Sequence, residues 1–232
     1  MLNVICVKHG TKYTSLHVNR LYNMVKRHLT IPHRFVCFTE NPTDINPNIN
    51  IVKLPYNSSI SGWWWKTYIF CKDHFNNFDI NLYFDLDMVI VKNIDKLITY
   101  KQGRFIGLED VGRVFGNKGK LGSAVMRWQD HTYSNIWNTF ISNPDIAKKY
   151  PTGDQAYIWD LQKSNIEFFP TKWIMSYKWE VRSTKELTRV NKRWVFSKIR
   201  NPEIDNETSV LAFHGTPSLE DVQDKIIVEN WQ

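Results

Sequence analysis

The sequence predicts an α/β fold in which a central mixed, mostly parallel sheet is flanked by helices. Of its 232 residues, 42% are hydrophobic and 23% are charged, a composition typical of globular domains. Short apolar runs alternate with segments of helical periodicity, the order expected for a sheet with crossover helices. A chain of this length can bury a complete core without disulfides or a structural metal, so we expect a single domain, 1–232.

The first half of the chain shows this alternation most clearly. An apolar run at 2–8 predicts a strand, and apolar residues at 3.6-residue spacing from Leu16 to Leu29 predict a helix that a proline ends. Further apolar runs predict strands at 34–38 and 51–54, separated by an Asn- and Pro-rich turn. The other predicted elements of this half are a helix from Trp63 and a buried strand at 81–91.

The second half is less regular, and its elements are shorter. The pattern predicts, in chain order, strands at 104–108 and 123–128 around a glycine-rich loop at 112–122, a helix at 130–141, strands at 166–169 and 210–213, and a final helix capped by Ser218. No repeat or low-complexity tract interrupts this order. We therefore expect one compact unit rather than an array of repeats.

The charge balance favours a partner that carries phosphate. The chain has 30 Lys and Arg against 23 Asp and Glu, a net charge of +7, and such a surplus attracts nucleic acid, anionic lipid or a nucleotide. The basic residues are scattered, which is also typical of a solvated surface. Besides packing in a core, the 10 tryptophans could provide flat platforms for sugars or bases.

Cysteine spacing and apolar segments indicate the compartment. Cys6, Cys37 and Cys71 lie far apart with no CxxC pair, which argues against a zinc module and a secreted disulfide framework. The first residues show no signal peptide, and no apolar stretch approaches the ~20 residues of a membrane span. We expect a soluble protein in the reducing cytoplasm.

Two aspartates interrupt the predicted strand at 81–91. In an extended strand the side chains alternate faces, so Asp85 and Asp87 point the same way, with Cα atoms roughly 6.6 Å apart. Two neighbouring carboxylates repel each other unless a cation or hydrogen-bond donors compensate, and oxygen ligands favour Mg²⁺ or Mn²⁺ over zinc. The alternative is a pair of carboxylates that cap neighbouring amides at the end of a strand.

Several segments, in order along nearly the whole chain, resemble one enzyme family. YFDLDMVIVKNIDKL resembles the DxD segment of GT-A glycosyltransferases, in particular those of family 8. GWWWKTYIF precedes it, and LGSAVMRW, GDQ and FHGTP follow in the family's order. With SYKWEVR, the series also resembles small bacterial and phage glycosyltransferases. The resemblance implies a Rossmann-like GT-A fold, with a nucleotide-binding half at 1–92 that ends in DxD and a donor-sugar and acceptor half at 93–232.

The same resemblance implies a metal site. It assigns Asp85, Asp87 and His214 as ligands of Mn²⁺ or Mg²⁺, and this ion binds the diphosphate of the donor. A dication there stabilises the negative charge that grows on the leaving nucleoside diphosphate. Taken alone, His214 could be a hydrogen-bonded core histidine, and its FHG setting favours the ligand role.

Further residues are implied to bind the donor. Lys66 falls where the family places a lysine near the DxD motif and the phosphates; the alternative is a solvated lysine. Lys8 and Tyr13 follow the first strand, where the fold binds base and ribose, although Tyr13 could instead pack at the helix entry. Leu86 lies within the motif, and Ser123 lies where the family's NSG or NAG segment reads GSA here.

The donor nucleotide is implied only by the relatives, among which UDP is the commonest, so we expect UDP with GDP as the alternative. Relatives commonly carry a phosphate-binding lysine after the His-Gly motif, whereas Ser218 and Leu219 occupy that stretch here. Lys178 of the SYKW segment could substitute for it. The family's asparagine, which often contacts the donor sugar, is absent from the GSA segment, and this leaves the choice of sugar open.

The resemblance places the reaction centre beside the GDQ segment. Asp154 and Gln155 resemble the pair that contacts the donor sugar or the reaction centre in family 8. A carboxylate there could stabilise an oxocarbenium ion or accept the proton of the acceptor hydroxyl. Asp154 could instead cap the following helix. Asp110, after the strand at 104–108, is a further candidate to face the donor sugar.

The sequence thus predicts a metal-dependent glycosyltransferase that acts on a glycan or lipid-linked saccharide, with retention as in family 8. At least one of Trp63, Trp64 and Trp65 should be peripheral or face the acceptor, because three consecutive residues cannot share one helix face. The basic surface also allows peripheral contact with anionic lipid. One alternative is a nucleic-acid-binding or metal-dependent nuclease domain. A second alternative is a nucleotide-sugar-binding protein that has lost catalysis. For the glycosyltransferase itself, nucleic acid is not expected as a partner.

Overall fold

The computed structural model describes residues 1–57, 59–182, 187–190, 193–196 and 204–232. The strands of this structure are β1 (Leu2–Lys8), β2 (Arg34–Thr39), β3 (Asn50–Lys53), β4 (Ile80–Phe84), β5 (Met88–Ile90), β6 (Phe105–Glu109), β7 (Leu121–Gln129), β8 (Ile166–Phe168), β9 (Ile174–Ser176), β10 (Leu187–Val190), β11 (Arg193–Phe196) and β12 (Val210–Ala212). The α-helices are α1 (Ser15–His28), α2 (Asp95–Thr99), α3 (Asn135–Ser142), α4 (Asp154–Gln162) and α5 (Lys225–Asn230).

A seven-stranded sheet forms the centre of the molecule, in the order β3-β2-β1-β4-β7-β6-β8. Strands β3, β2, β1 and β4 pair in parallel, and β7 lies antiparallel between β4 and β6. Strand β8 extends the far edge in parallel with β6. The predicted α/β class, with a mixed and mostly parallel sheet flanked by helices, is therefore confirmed.

The sheet separates two hydrophobic clusters because side chains alternate along each strand. In β1, Val4 and Cys6 face one cluster and Ile5 faces the other, all fully buried. The first cluster includes the apolar face of α1, with Leu21 and Met24 at 0% exposure, as the 3.6-residue spacing predicts. None of the helices in the described ranges combines the length and apolarity that a membrane span needs.

The predicted continuous strand at 81–91 is wrong, because the chain changes sheets at the DxD motif. Strand β4 ends at Phe84, and β5 begins at Met88 in a separate three-stranded sheet of order β5-β12-β9. The amide of Asp85 still donates to the carbonyl of Ala124 in β7, at 2.8 Å. Asp85 and Asp87 therefore lie in a turn between two sheets, and the strand geometry expected for them does not apply.

Three other elements differ from the pattern. The segment Gly62–Phe70 is a 3-10 helix, and the helix expected at 130–141 begins as the 3-10 turn Thr132–Ser134 before α3. The predicted final helix after Ser218 is wrong: the Ser218 hydroxyl donates to Asp221 at 2.9 Å and closes a turn, and α5 begins only at Lys225. The sequence pattern also missed β9 and the hairpin of β10 and β11.

Candidate active site

A cavity of about 780 Å³ opens at the carboxyl ends of β1 and β4, beside the turn that joins the two sheets. In folds with parallel strands, ligands commonly bind at this edge of the sheet. The ionisable and polar side chains that line it are those of His9, Lys12, Tyr13, Lys66, Tyr83, Asp85, Asp87, Asp110, Asn117, Ser123, Thr152, Asp154, Gln155 and His214. The cavity thus collects nine of the twelve residues proposed from sequence.

Lys66 lies at the centre of this cavity and joins two carboxylates. Its Nζ atom lies 2.9 Å from Asp85 Oδ1 and 3.2 Å from Asp154 Oδ2, and it donates to Ser123 Oγ at 3.0 Å. The Ser123 hydroxyl in turn donates to Asp154 Oδ2 at 2.6 Å. Lys66, in the 3-10 helix, therefore links Asp154 at the start of α4 to Asp85, the first aspartate of the DxD motif.

Lys66 is only 6% exposed, so its charge depends on these neighbours. Burial opposes the charged form, but the carboxylates of Asp154 and Asp85 outweigh burial and raise the pKa of Lys66 above its usual value. A solvated lysine, the alternative from sequence, is thus excluded. The result is a fixed positive charge at the point where the two carboxylates converge.

Asp87 lines one wall of the cavity and is bound by Tyr13. The Tyr13 hydroxyl donates to Asp87 Oδ2 at 2.7 Å. Burial and the charge of Asp85 raise the pKa of Asp87 to about 6, although the Tyr13 hydrogen bond acts in the other direction. Burial and the Asp87 charge likewise raise the pKa of Tyr13. Ionising Asp87 here is costly, and a bound cation would lower that cost.

His214 reaches the same wall through strand pairing. Strand β12 runs antiparallel to β5, and the amide of Phe213 donates to the Asp87 carbonyl at 3.1 Å. The ring of His214 packs on Trp179, and its Nε2 atom lies 2.7 Å from Ser176 Oγ. Burial and the nearby Lys178 ammonium lower the pKa of His214 to about 4, so the imidazole is neutral at pH 7.

The donor set suits a hard divalent cation only in part. The two DxD carboxylates supply oxygen ligands to the cavity, and the raised pKa of Asp87 is the property that a cation would relieve. Within the part of the chain that the structure describes, however, no three His, Cys, Asp or Glu side chains are arranged around one ion. The predicted set of Asp85, Asp87 and His214 is therefore not assembled, because Nε2 of the histidine contacts Ser176 and Asp85 contacts Lys66.

Asp110 and Gln155 both line the cavity and are in direct contact. The Gln155 amide donates to Asp110 Oδ2 at 3.0 Å, and Asp110 Oδ1 accepts from the Gly112 amide at 2.6 Å as the cap of a short 3-10 turn. Gly153, rather than Asp154, occupies the N-cap position of α4. The capping alternative for Asp154 is therefore wrong, and its carboxylate is oriented by Lys66 and Ser123 instead.

Three residues proposed from sequence lie outside the cavity lining. Lys8 is buried and donates to the carbonyl of Asn41 at 3.4 Å, and Leu86 is part of the hydrophobic core. Lys178 lies behind His214, where it affects the pKa of that ring. Their places do not support direct contact between these side chains and a ligand in the cavity.

Sequence reasoning missed two cavity residues that follow β1. Lys12 lies with its Nζ atom 4.6 Å from the centre of the Tyr13 ring, and its charge lowers the pKa of Asp87. His9 Nδ1 lies 3.3 Å from Glu40 Oε2. Their position in the loop after the first strand was the available signal, since ligands gather at that end of the sheet.

No protein-family model matches the sequence, and no curated protein matches it either. Solved structures do match at the level of the fold. The galactosyltransferase LgtC, in complex with donor and acceptor sugar analogs, is 11% identical with a TM-score of 0.62, over 98% of this chain and 94% of that chain. This chain has the GT-A fold.

Two further structures with this GT-A-like fold are longer. The glycosyltransferase GlyE of Streptococcus pneumoniae TIGR4 is 11% identical with a TM-score of 0.59, over 78% of this chain and 48% of that chain. The bifunctional glycosyltransferase WbbM is 11% identical with a TM-score of 0.61, over 99% of this chain and 49% of that chain. The chain thus spans about half the length of GlyE and WbbM.

Proposed function

We propose that this chain is a metal-dependent glycosyltransferase that moves a sugar from a nucleoside diphosphate sugar, with UDP favoured over GDP, to a saccharide hydroxyl. The observation that carries the proposal is the cluster in which Lys66 joins Asp85 of the DxD turn to Asp154 inside one cavity. The fold it shares with known glycosyltransferases supports it. Retention of configuration and a bacterial or phage setting rest on the sequence resemblance alone, and a cytoplasmic location rests on the spacing of the cysteines.

The DxD turn is the proposed diphosphate end of the cavity. Asp85 and Asp87 would hold Mn²⁺ or Mg²⁺, with neutral His214 as a further candidate ligand on the same wall. When bound, the divalent ion supplies stabilisation of the negative charge on the leaving diphosphate. Lys66 and Lys12 are the cations of this chain in the cavity that would bind phosphate oxygens. Tyr13, between Lys12 and Asp87, would orient the nucleotide.

The part of the cavity around Asp154 and Gln155 is the proposed site of the sugar. Lys66 and Ser123 hold Asp154 in one orientation beside Gln155, and the bond between Gln155 and Asp110 fixes a second carboxylate there. Negative charge at this end would stabilise positive charge that develops on the sugar, and a carboxylate would accept the proton of the acceptor hydroxyl. The charged groups of the cavity thus suit a leaving diphosphate beside the DxD turn and a sugar cation beside Asp154.

A thermal-shift experiment tests this proposal. UDP, GDP, ADP, CDP and TDP are each added with and without Mn²⁺, to wild-type protein and to Asp87→Asn. At a concentration 100 times Kd, a ligand stabilises the folded state by about 2.7 kcal/mol, which for a chain of this size raises Tm by roughly 5–10 °C. We expect UDP to give such a shift only with Mn²⁺, and Asp87→Asn to abolish it.

Asp145→Asn is the matched control, because Asp145 is an exposed carboxylate that pairs with the surface lysine Lys148. It should leave the nucleotide shift unchanged. A full shift in Asp87→Asn would refute the metal assignment. Stabilisation by oligonucleotides alone, with no nucleotide shift, would refute the glycosyltransferase proposal. A metal-dependent shift without sugar transfer would indicate a binding protein that has lost catalysis.

A further inference from the structure

One of the three consecutive tryptophans is exposed at the cavity. Trp64 and Trp65 are 8% and 2% exposed, whereas Trp63 is 59% exposed and lines the cavity. The buried pair packs in the second hydrophobic cluster, where Trp64 stacks on Phe140 at 5.0 Å between ring centroids. Core packing thus explains two of these side chains and leaves the third without a structural reason for its size.

The 3-10 geometry of this segment decides where Trp63 lies. In a 3-10 helix, residues i and i+3 lie directly above one another. Trp63 therefore shares a face with Lys66, whose Nζ atom contacts Asp85 and Asp154. The indole ring lies one turn away from that cluster, on the same side of the segment.

The contact with Gly153 shows which cavity residues lie near the Trp63 ring. A Cβ atom on Gly153 would lie 2.7 Å from Trp63 Nε1, and the residue has φ +92° and ψ −161°, a conformation that is nearly exclusive to glycine. The ring thus lies against bare backbone directly before Asp154 and Gln155. Under the proposed function these two residues face the sugar.

From this placement we infer that Trp63 is the platform on which the acceptor stacks, and that the acceptor is a saccharide presenting a pyranose ring. The CH groups on one face of a pyranose pack well on an exposed indole, while the Gln155 and Asp110 side chains lie in the same cavity for its hydroxyls. The inference rests on the proposed function and narrows its acceptor.

Saturation-transfer NMR tests the inference without turnover. The probes are the methyl glycosides of glucose, galactose, mannose and N-acetylglucosamine, with UDP and Mg²⁺ present. We expect at least one glycoside to bind wild-type protein with its strongest signals on one ring face. Trp63→Ala should raise its Kd about tenfold, and Trp63→Tyr should restore most of the affinity because it keeps an aromatic face.

The matched control is Phe78→Ala, since Phe78 is 82% exposed and is not among the residues that line the cavity. It should leave glycoside binding unchanged. Retention of the UDP thermal shift in Trp63→Ala shows that the variant is folded and that the donor site is intact. Loss of that shift would place the ring in the donor site and overturn the inference.

Two further outcomes separate the inference from the proposed function. If UDP stabilises the protein but no glycoside binds, or if Trp63→Ala binds glycosides as wild type does, the assignment of Trp63 as the acceptor platform is wrong. The proposed function stands in either case. If wild-type protein shows no metal-dependent nucleotide shift at all, the proposed function fails and the inference fails with it.

Discussion

Lys66 shows how one side chain organises a site that the sequence presents as separate motifs. It is buried and contacts Asp85, Asp154 and Ser123, which are up to 88 positions away along the chain. A single buried lysine beside two carboxylates is stable only as part of this cluster, since each charge compensates the others. The sequence indicated each residue through a family motif but not the contacts among them.

Replacing Lys66 by methionine should therefore destabilise the fold as well as the site. The change leaves Asp85 and Asp154 without their cation, and breaking a buried pair in this way costs about 3 kcal/mol. Urea unfolding measures the loss. Adding Asp154→Asn to Lys66→Met should recover part of it, because one uncompensated charge is removed. Lys148→Met, at an exposed surface pair, is the control; equal losses in the two lysine variants would contradict the assignment.

At the scale of elements, sequence periodicity predicted what local packing determines. The spacing from Leu16 to Leu29 gave α1, and the apolar runs gave β1 and β2, because one buried face or a buried strand is a local property. The break at the DxD motif was not predictable in this way. Leu86 and Met88 are both buried and continue the alternation, although the chain has left one sheet for another.

A capping residue predicts the start of a helix wrongly where its side chain stabilises a turn instead. Ser218 donates to Asp221 and no helix follows, whereas α4 begins after Gly153, which carries no capping side chain. The start of α4 is instead defined by a backbone conformation that glycine allows. Its neighbour Trp63 lies close enough to exclude a Cβ atom.

Gly153→Ala should accordingly cost stability in two separable ways. The conformation costs about 1–3 kcal/mol for a residue with a side chain, and the new methyl group clashes with Trp63. Combining it with Trp63→Ala removes the clash but not the backbone cost. The double variant should therefore lose less stability than the sum of the two single losses. Gly116→Ala is the control, because Gly116 has φ +103° with open space around it. Strict additivity of Gly153→Ala and Trp63→Ala would contradict the contact.

On the scale of the whole molecule, the cavity lies where the two sheets meet. Strand β4 belongs to the central sheet and β5 to the small sheet, and the turn between them holds both aspartates. Residues from Leu2 to Trp231 contribute to the first hydrophobic cluster, so that cluster contains side chains from both parts of the chain. The junction places carboxylates in a partly buried position, and this has a cost in stability when no cation is present.

The cost of ionising Asp87 should make the stability of the folded protein depend on pH. Its pKa is about 6 in the folded chain, above the usual value near 4, so between these values the folded state binds more protons than the unfolded state. Stability of the metal-free protein should therefore fall as pH rises from about 4 through 6, as far as this group is concerned. Other groups titrate in the same window, so the comparison must isolate Asp87.

Asp87→Asn makes that comparison, because asparagine keeps an acceptor for the Tyr13 hydroxyl and removes the charge. With a chelator present, the variant should be more stable than wild type by about 2–3 kcal/mol at pH 8, and the difference should vanish near pH 4. Urea unfolding at a series of pH values measures both. A difference that does not change with pH would show that Asp87 ionises normally, and the argument that a cation relieves its charge would fail.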